Sequence, residues 1–335
     1  MINYKAVMKD MTLYPLTFAP IYRDYLWGGT KIAKRFQRSD VPQCCAESWE
    51  VSGHKEGVSV VEHGAWKGQT LADICAREGT AVLGDACESK QFPLLIKLID
   101  AKERLSVQVH PNDESAERYG GEAKTEMWYV LDAEPGAKIC AGLRKGVVGP
   151  RQFHDATVEK HVDRLLRVIP SEPGKSIYIP GGLVHAIGEG NLIFEVQQSS
   201  NTTYRVYDWD RVGPDGRPRD LHVRQAMEVI AWRAPEVEFL TPIPMKSSAP
   251  ANRRIRFLRS DFFIVEAVML KEAEAVTMDG LSFHVLFVEK GSVSLTWEGG
   301  AIELPLGKSC LVPAKLGKYT LTPTGAEAKV VVVTV

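Results

Sequence analysis

Four side chains near the middle of this 335-residue chain have the types and spacing of metal donors. Gln108 and His110 stand two apart in Leu105-Ser-Val-Gln-Val-His110, a run with period two, so both side chains leave the same face of a strand. Glu126, after Lys124-Thr125, opens the next apolar run and can add a carboxylate oxygen. His185 ends the stretch Gly174-Lys-Ser-Ile-Tyr-Ile-Pro180-Gly-Gly182-Leu-Val-His185. Its residues 176–179 are β-prone, Pro180-Gly181-Gly182 supplies a turn, and the return through Leu183 and Val184 sets the imidazole at a fixed height on a second strand. Two imidazoles, a carboxylate and an amide oxygen form a mixed N/O set. Such a set suits Zn²⁺ with one position left for water or substrate, and it also fits Fe²⁺, Mn²⁺, Co²⁺ or Ni²⁺. Gln108 is the weakest of the four donors, and its other reading is a polar residue in a hydrogen-bond network.

The elements that must position these residues are mostly strands. Residues 46–52, 92–100, 105–110, 126–131 and 192–197 all carry β patterns, and Lys97 interrupts the otherwise apolar run 92–100. Residues 69–79 form a short helix with Thr70 as N-cap and Gly79 as stop. A helical patch spans 150–168, an amphipathic helix spans 221–232, and 112–121 has the polar composition of an insertion. The Pro- and Ser-containing stretch within 241–254 is the expected linker between a domain at 1–240 and an all-β domain at 255–335. Hydrophobic content of 44%, charged content of 25% and a net charge of −1 describe an ordinary globular protein with no general nucleic-acid or membrane surface. No apolar run has the length of a membrane span, and the opening MINYKAVMKDM lacks the apolar core of a signal peptide. The six cysteines (Cys44, Cys45, Cys75, Cys87, Cys140, Cys310) show no CxxC and no framework spacing, so free thiols and a cytoplasmic location are expected.

The pattern G-x5-P-x-G-x2-H at 174–185 resembles the second signature motif of the cupins, position for position. In cupins the terminal His holds a metal inside a small β-barrel. The resemblance implies a mainly β fold of two cupin (RmlC-like jelly-roll) β-barrels with a few short helices. Gly307-Lys-Ser-Cys-Leu-Val-Pro313 echoes that strand–turn layout but carries no His after it, which makes the C-terminal barrel the metal-free one. Four motifs in order extend the likeness: residues 105–112, Lys124-Thr-Glu126, the hairpin ending at His185, and Gln197-Gln-Ser-Ser-Asn-Thr-Thr-Tyr-Arg205-Val-Tyr-Asp-Trp-Asp210. Together they resemble type I mannose-6-phosphate isomerase (phosphomannose isomerase), and Pro20–Gly29 with Ala46-Glu-Ser-Trp-Glu50 resembles its short bacterial form. The likeness runs from about residue 12 to 235.

That resemblance implies that Gln108, His110, Glu126 and His185 hold zinc, one ion per chain, and that Arg205 is catalytic. It implies a small phosphorylated sugar as substrate, mannose 6-phosphate interconverting with fructose 6-phosphate, a place in carbohydrate and mannose metabolism, and no nucleic-acid or membrane partner. Monomer and homodimer both remain open. The long form's large helical insertion is absent from this sequence, so its way of holding the phosphate does not carry over. The reaction moves a proton between C1 and C2 through an enediol(ate), which needs a base and a cation where oxygen becomes anionic. Arg205 supplies a permanent cation, or else a surface ion pair with Asp208 or Asp210. Lys124, on the strand face of Glu126, is placed for proton transfer. Lys97 must pair with a carboxylate or reach into an anion site, because unpaired burial is costly. Glu195 and His54 complete the candidates for substrate binding and proton transfer. Two alternatives compete with the isomerase: a cupin that binds metal and sugar without turnover, and an Fe²⁺ cupin oxygenase, which would favour a His-rich site over one with an amide ligand.

Overall fold

Four of the strands that carry the predicted chemistry, Leu94–Ala101, Glu126–Ala133, His185–Ile187 and Asn191–Gln198, are buried along almost their whole length. The computed structural model describes residues 12–146, 149–213 and 215–335. The opening read for a signal peptide, residues 1–11, lies outside the described residues. No described helix is long and apolar enough to cross a membrane. The fold is mainly β, in two compact units.

One unit comprises Pro20–Gly57 and Pro93–Pro242. Its six-stranded sheet runs in the order Ile21–Arg23, Glu47–Ser52, Leu94–Ala101, Asn191–Gln198, Glu126–Ala133, Ser176–Ile179. Its five-stranded sheet runs Tyr204–Tyr207, Val107–Val109, His185–Ile187, Lys138–Leu143, Leu166–Pro170. Every pairing in both sheets is antiparallel. Ile99, Trp128, Val130 and Ile193 of the first sheet meet Ile139, Ala141 and Ile187 of the second in one core. A second core, on the other side of the five-stranded sheet, gathers Val107, Val109, Val184 and Val206 with Phe153 and Ala156 of helix Pro150–Val158 and Ala226 and Val229 of helix Val223–Val229. Burying each valine there contributes about 1.5–3 kcal/mol. With Val107 and Val109 committed to the helices, strand alternation sends Gln108 to the opposite face.

The other unit comprises the described residues up to Ala19, Val58–Phe92 and Ile243–Val335. A seven-stranded sheet and a four-stranded sheet enclose Val268, Leu286, Val288, Val293, Leu295 and Leu321. Helix Leu71–Glu78 lies in this unit, and Thr70 caps it by accepting the Asp73 N–H at 3.1 Å.

Four expectations are refined. Each unit is a pair of facing open sheets rather than a closed barrel. The units do not divide at a single linker: Leu16–Thr17 pairs with Ser309–Val312, and Ile243–Met245, inside the expected linker, pairs with Arg253–Arg259. A strand joins whichever sheet completes its hydrogen bonds, and Pro244 is tolerated because its strand lies at a sheet edge. Residues 113–119 of the supposed insertion form a helix, in which Asn112 and Ser115 exchange capping hydrogen bonds. The patch at 150–168 is a helix to Val158, a 3₁₀ turn Val162–Leu165 and then the strand Leu166–Pro170.

Candidate metal centre

The hairpin turn at 180–182 joins the elements that hold the donors. Gly182 adopts φ +86°, a conformation that favours glycine, and its N–H donates to the His110 carbonyl at 2.7 Å. Gly181 donates to Thr125 Oγ1 at 3.1 Å, and a Cβ added to it would lie 2.7 Å from Asn112 Cα and from the Pro111 carbonyl oxygen. A side chain at Gly181 would push the turn off Pro111–Asn112, and one at Gly182 would be strained by the positive φ. Beyond the turn, His185 pairs in register with Gln108. His110 follows the end of Val107–Val109, and Glu126 opens its own strand.

His110, Glu126 and His185 are each 1% exposed, and their donor atoms lie within 4.8 Å of one another. Among the described residues this is the cluster of His, Cys, Asp and Glu that could hold an ion. His110 Nδ1 lies 2.8 Å from the Thr202 carbonyl and His185 Nδ1 2.8 Å from the Leu183 carbonyl. Each Nδ1 therefore carries the proton and each Nε2 presents a bare lone pair. Burial, with Lys124 nearby, pushes His110 down to about 3, and burial likewise lowers His185, so both rings are neutral. Burial alone would raise Glu126, but Lys124 and then the histidines outweigh it and hold the carboxyl well below its ordinary value. Glu126 Oε1 is buried and accepts no hydrogen bond of good geometry, yet it lies 2.7 Å from His110 Nε2 and 2.9 Å from Lys124 Nζ. An anionic oxygen facing an unprotonated ring nitrogen at that distance needs a cation beside it. Lys124 Nζ, 2.9 Å from Glu126 Oε1 and 3.2 Å from His110 Nε2, supplies that charge here, and the lone pairs of both histidines and the carboxylate remain turned toward one another. The residues fit a divalent metal.

A cavity of about 310 Å³ opens beside this centre, lined among others by Gln108, Lys124, Trp128, Glu195, Arg205 and Arg219. Its floor is a row of polar side chains across the six-stranded sheet. Lys97 Nζ lies 3.3 Å from Glu47 Oε2 and 3.6 Å from Glu195 Oε1, and Lys97 and Glu195 are register partners. Burial opposes the charge on Lys97, but Glu47 and Glu195 more than compensate and its pKa is raised. Trp128 Nε1 sits 2.6 Å from Glu126 Oε2 and 2.8 Å from Glu195 Oε2, one N–H between two carboxylates. Burial, then Glu126, pushes Glu195 up to about 8.

Comparison with known proteins places this geometry. The chain is 34% identical over 313 residues to the probable mannose-6-phosphate isomerase GmuF of Bacillus subtilis (strain 168), covering 93% of this chain and 97% of that protein. The chain belongs to the type I mannose-6-phosphate isomerase family. The family pattern "Phosphomannose isomerase type I, catalytic domain" matches residues 16–139, and "Mannose-6-phosphate isomerase, cupin domain" matches 253–335. Mannose-6-phosphate isomerase ManA of the same strain is 41% identical over 231 residues, 66% of this chain and 69% of ManA. The crystal structure of the mannose 6-phosphate isomerase from Bacillus subtilis superposes with a TM-score of 0.85 at 31% identity, covering 96% of this chain and 99% of that one.

Within this family frame, most of the residues singled out from sequence converge on one place. Lys97, Gln108, Lys124, Glu195 and Arg205 line the cavity, and the three donors of the cluster stand against Gln108 and Lys124. His54 is not among the cavity-lining residues. It is buried with Nε2 3.0 Å from Glu122 Oε2, while Nδ1 accepts from the Glu56 N–H at 3.3 Å. Arg205 makes no ion pair among the described residues: Asp208 is taken by Arg211 and Arg219, and Asp210 by Lys160. Trp128, Glu47 and Arg219 were not anticipated. The i, i+2 spacing of Glu126 and Trp128 was the available signal for Trp128; Arg219 had none, because a loop brings it in.

Gln108 stands at the rim of the cluster. Its Nε2 lies 3.3 Å from His185 Nε2, and its Oε1 accepts from Ser106 Oγ at 3.1 Å. To bind metal through Oε1 the amide must turn over, so that Nε2 faces Ser106 and the hydroxyl accepts where it now donates. Gln108→Ala is therefore expected to weaken metal binding by roughly 10–100-fold, the range of a supporting partner, and to leave the ion bound at high metal concentration. Titration with a competing chelator reads this out, and complete loss of metal would make Gln108 an equal of the histidines.

Proposed function

We propose that the chain interconverts mannose 6-phosphate and fructose 6-phosphate by proton transfer between C1 and C2, with zinc held by His110, Glu126, His185 and, more weakly, Gln108. The observation that carries this reading is the buried His–Glu–His cluster set against a cavity that also presents Arg205 and Lys124. When bound, the ion supplies Lewis acidity and orients sugar oxygens without redox change. Trp128 holds Glu126 through its N–H, and Lys124 balances the charge of that carboxylate. Arg205, fixed by one hydrogen bond from Nη1 to the Asp220 carbonyl at 2.8 Å, aims a cation at the oxygen that becomes anionic in the enediolate. Lys124 and Glu195 line the cavity as the groups placed to carry the proton; Glu195 Oε1 is buried with no hydrogen-bond partner.

The test is a coupled assay for fructose 6-phosphate formed from mannose 6-phosphate, before and after chelation and with zinc restored. Metal-dependent turnover is expected, with about one ion per chain for one complete donor set. Turnover untouched by full metal removal, or no product from the metal-loaded protein, would reject the reading. Two tightly held ions per chain would contradict the expected stoichiometry.

A further inference from the structure

The cavity carries more positive charge than the metal centre can balance. Lys124 is matched by Glu126, and Lys97 by Glu47 and Glu195. The guanidiniums are not matched. Arg205 has no carboxylate within ion-pair distance among the described residues, and its Nε is buried without a partner. Arg219 engages Asp208 through Nε at 2.8 Å and Nη2 at 2.5 Å, but Arg211 Nη2 also reaches Asp208 Oδ1 at 2.5 Å. One buried carboxylate thus serves two arginines, beside a third that has none. Two other acids lie nearby, both exposed: Asp220 meets Arg205 through its backbone carbonyl, and Glu103 Oε2 lies 3.9 Å from Arg211 Nη1.

The loop after Arg211 folds back to deliver Arg219. Val212 bridges to Pro218, and the Gly213 N–H donates to the Arg217 carbonyl at 2.7 Å. The Arg219 side chain is 29% exposed and lines the cavity; Arg211 does not line it. We propose that Arg219 is the phosphate-binding residue of this site, turning its donor fork from Asp208 to the 6-phosphate of the substrate. The inference rests on the isomerase reading above. A phosphate monoester is close to a dianion with three acceptor oxygens, and a planar guanidinium pairs with two of them at once. Arg211 keeps Asp208 paired while Arg219 is engaged, so no buried carboxylate is left alone. Arg205 is left for the reacting end of the sugar.

The experiment is steady-state kinetics on the zinc-loaded full chain, with inorganic phosphate as a competitive inhibitor and calorimetric binding of mannose 6-phosphate. Arg219→Ala should raise KM and weaken phosphate inhibition by roughly 10–100-fold, with kcat within about threefold of wild type. Arg219→Lys should recover part of the loss, because charge returns without the fork. Arg211→Ala unpairs Asp208 equally but should leave KM and phosphate inhibition as they are. Unchanged KM and phosphate inhibition in Arg219→Ala overturns the proposal; so does an equal rise in Arg211→Ala, which would trace the effect to Asp208. A wild type that binds mannose 6-phosphate without turnover, and loses that binding in Arg219→Ala, would refute the isomerase reading and leave this assignment standing. A wild type that neither binds nor turns it over removes both.

Discussion

Chains carrying His110→Ala or His185→Ala are expected to purify folded, nearly free of metal and without isomerase turnover. Each ring is buried with its Nδ1 proton committed to a backbone carbonyl, so what it offers the donor cluster is one lone pair on Nε2. Removing a group that merely supports a ligand costs about 10–100-fold in metal affinity, and removing the ligand itself should cost more. The fold should survive, because Glu126 keeps Lys124 at 2.9 Å and is not left as an uncompensated buried charge. Elemental analysis of both variants, with a thermal melt for each, checks this. A full metal complement in either would remove that histidine from the donor set.

Arg205→Ala is expected to lower kcat by about 10²–10³-fold with little change in KM, the usual effect of losing one preorganised donor to a developing oxyanion. The strand Tyr204–Tyr207 sets Arg205 in register with Gln108, and the Asp220 carbonyl holds one end of its guanidinium. Such a group meets the transition state already oriented. Arg205→Lys should recover little, since a point charge cannot replace the planar fork. Steady-state kinetics with unchanged zinc content decides the matter. Near wild-type kcat would reduce Arg205 to a structural cation, and a KM effect in its place would give it the role assigned here to Arg219.

The donor cluster was legible because short-range geometry determines it. Gln108 and His110 share a strand face by period, Glu126 opens a strand, and the Pro-Gly-Gly turn announces a hairpin whose next residues must point somewhere definite. Lys97 was legible as a problem, a cation in an apolar strand, and the structure solves it with Glu47 and Glu195. What escaped depends on approaches between distant segments. Nothing local to Leu16 says that it pairs with Leu311, or that Ile243 extends the same sheet. His54 has the type of a proton-transfer residue but its neighbour is Glu122, two strands away in sequence. The helix Asp113–Tyr119 was hidden because it buries none of its residues, so it shows no apolar period, and its capping pair was the only sign.

The polar row across the six-stranded sheet has a consequence for folding as well as chemistry. Leu94–Ala101 is buried throughout, and Asn191–Gln198 is buried at all but its last residue. Near-continuous apolar strands of this kind would tolerate several alignments on hydrophobicity alone. Only one alignment sets Lys97 opposite Glu195 and brings Glu195 beside Trp128. A slip by one residue turns the ammonium to the other face of its strand, away from both carboxylates, at a cost on the order of several kcal/mol for an unpaired buried charge. The residues that line this cavity therefore also reject misaligned sheets, so that any selection acting on the cavity would preserve the register at the same time.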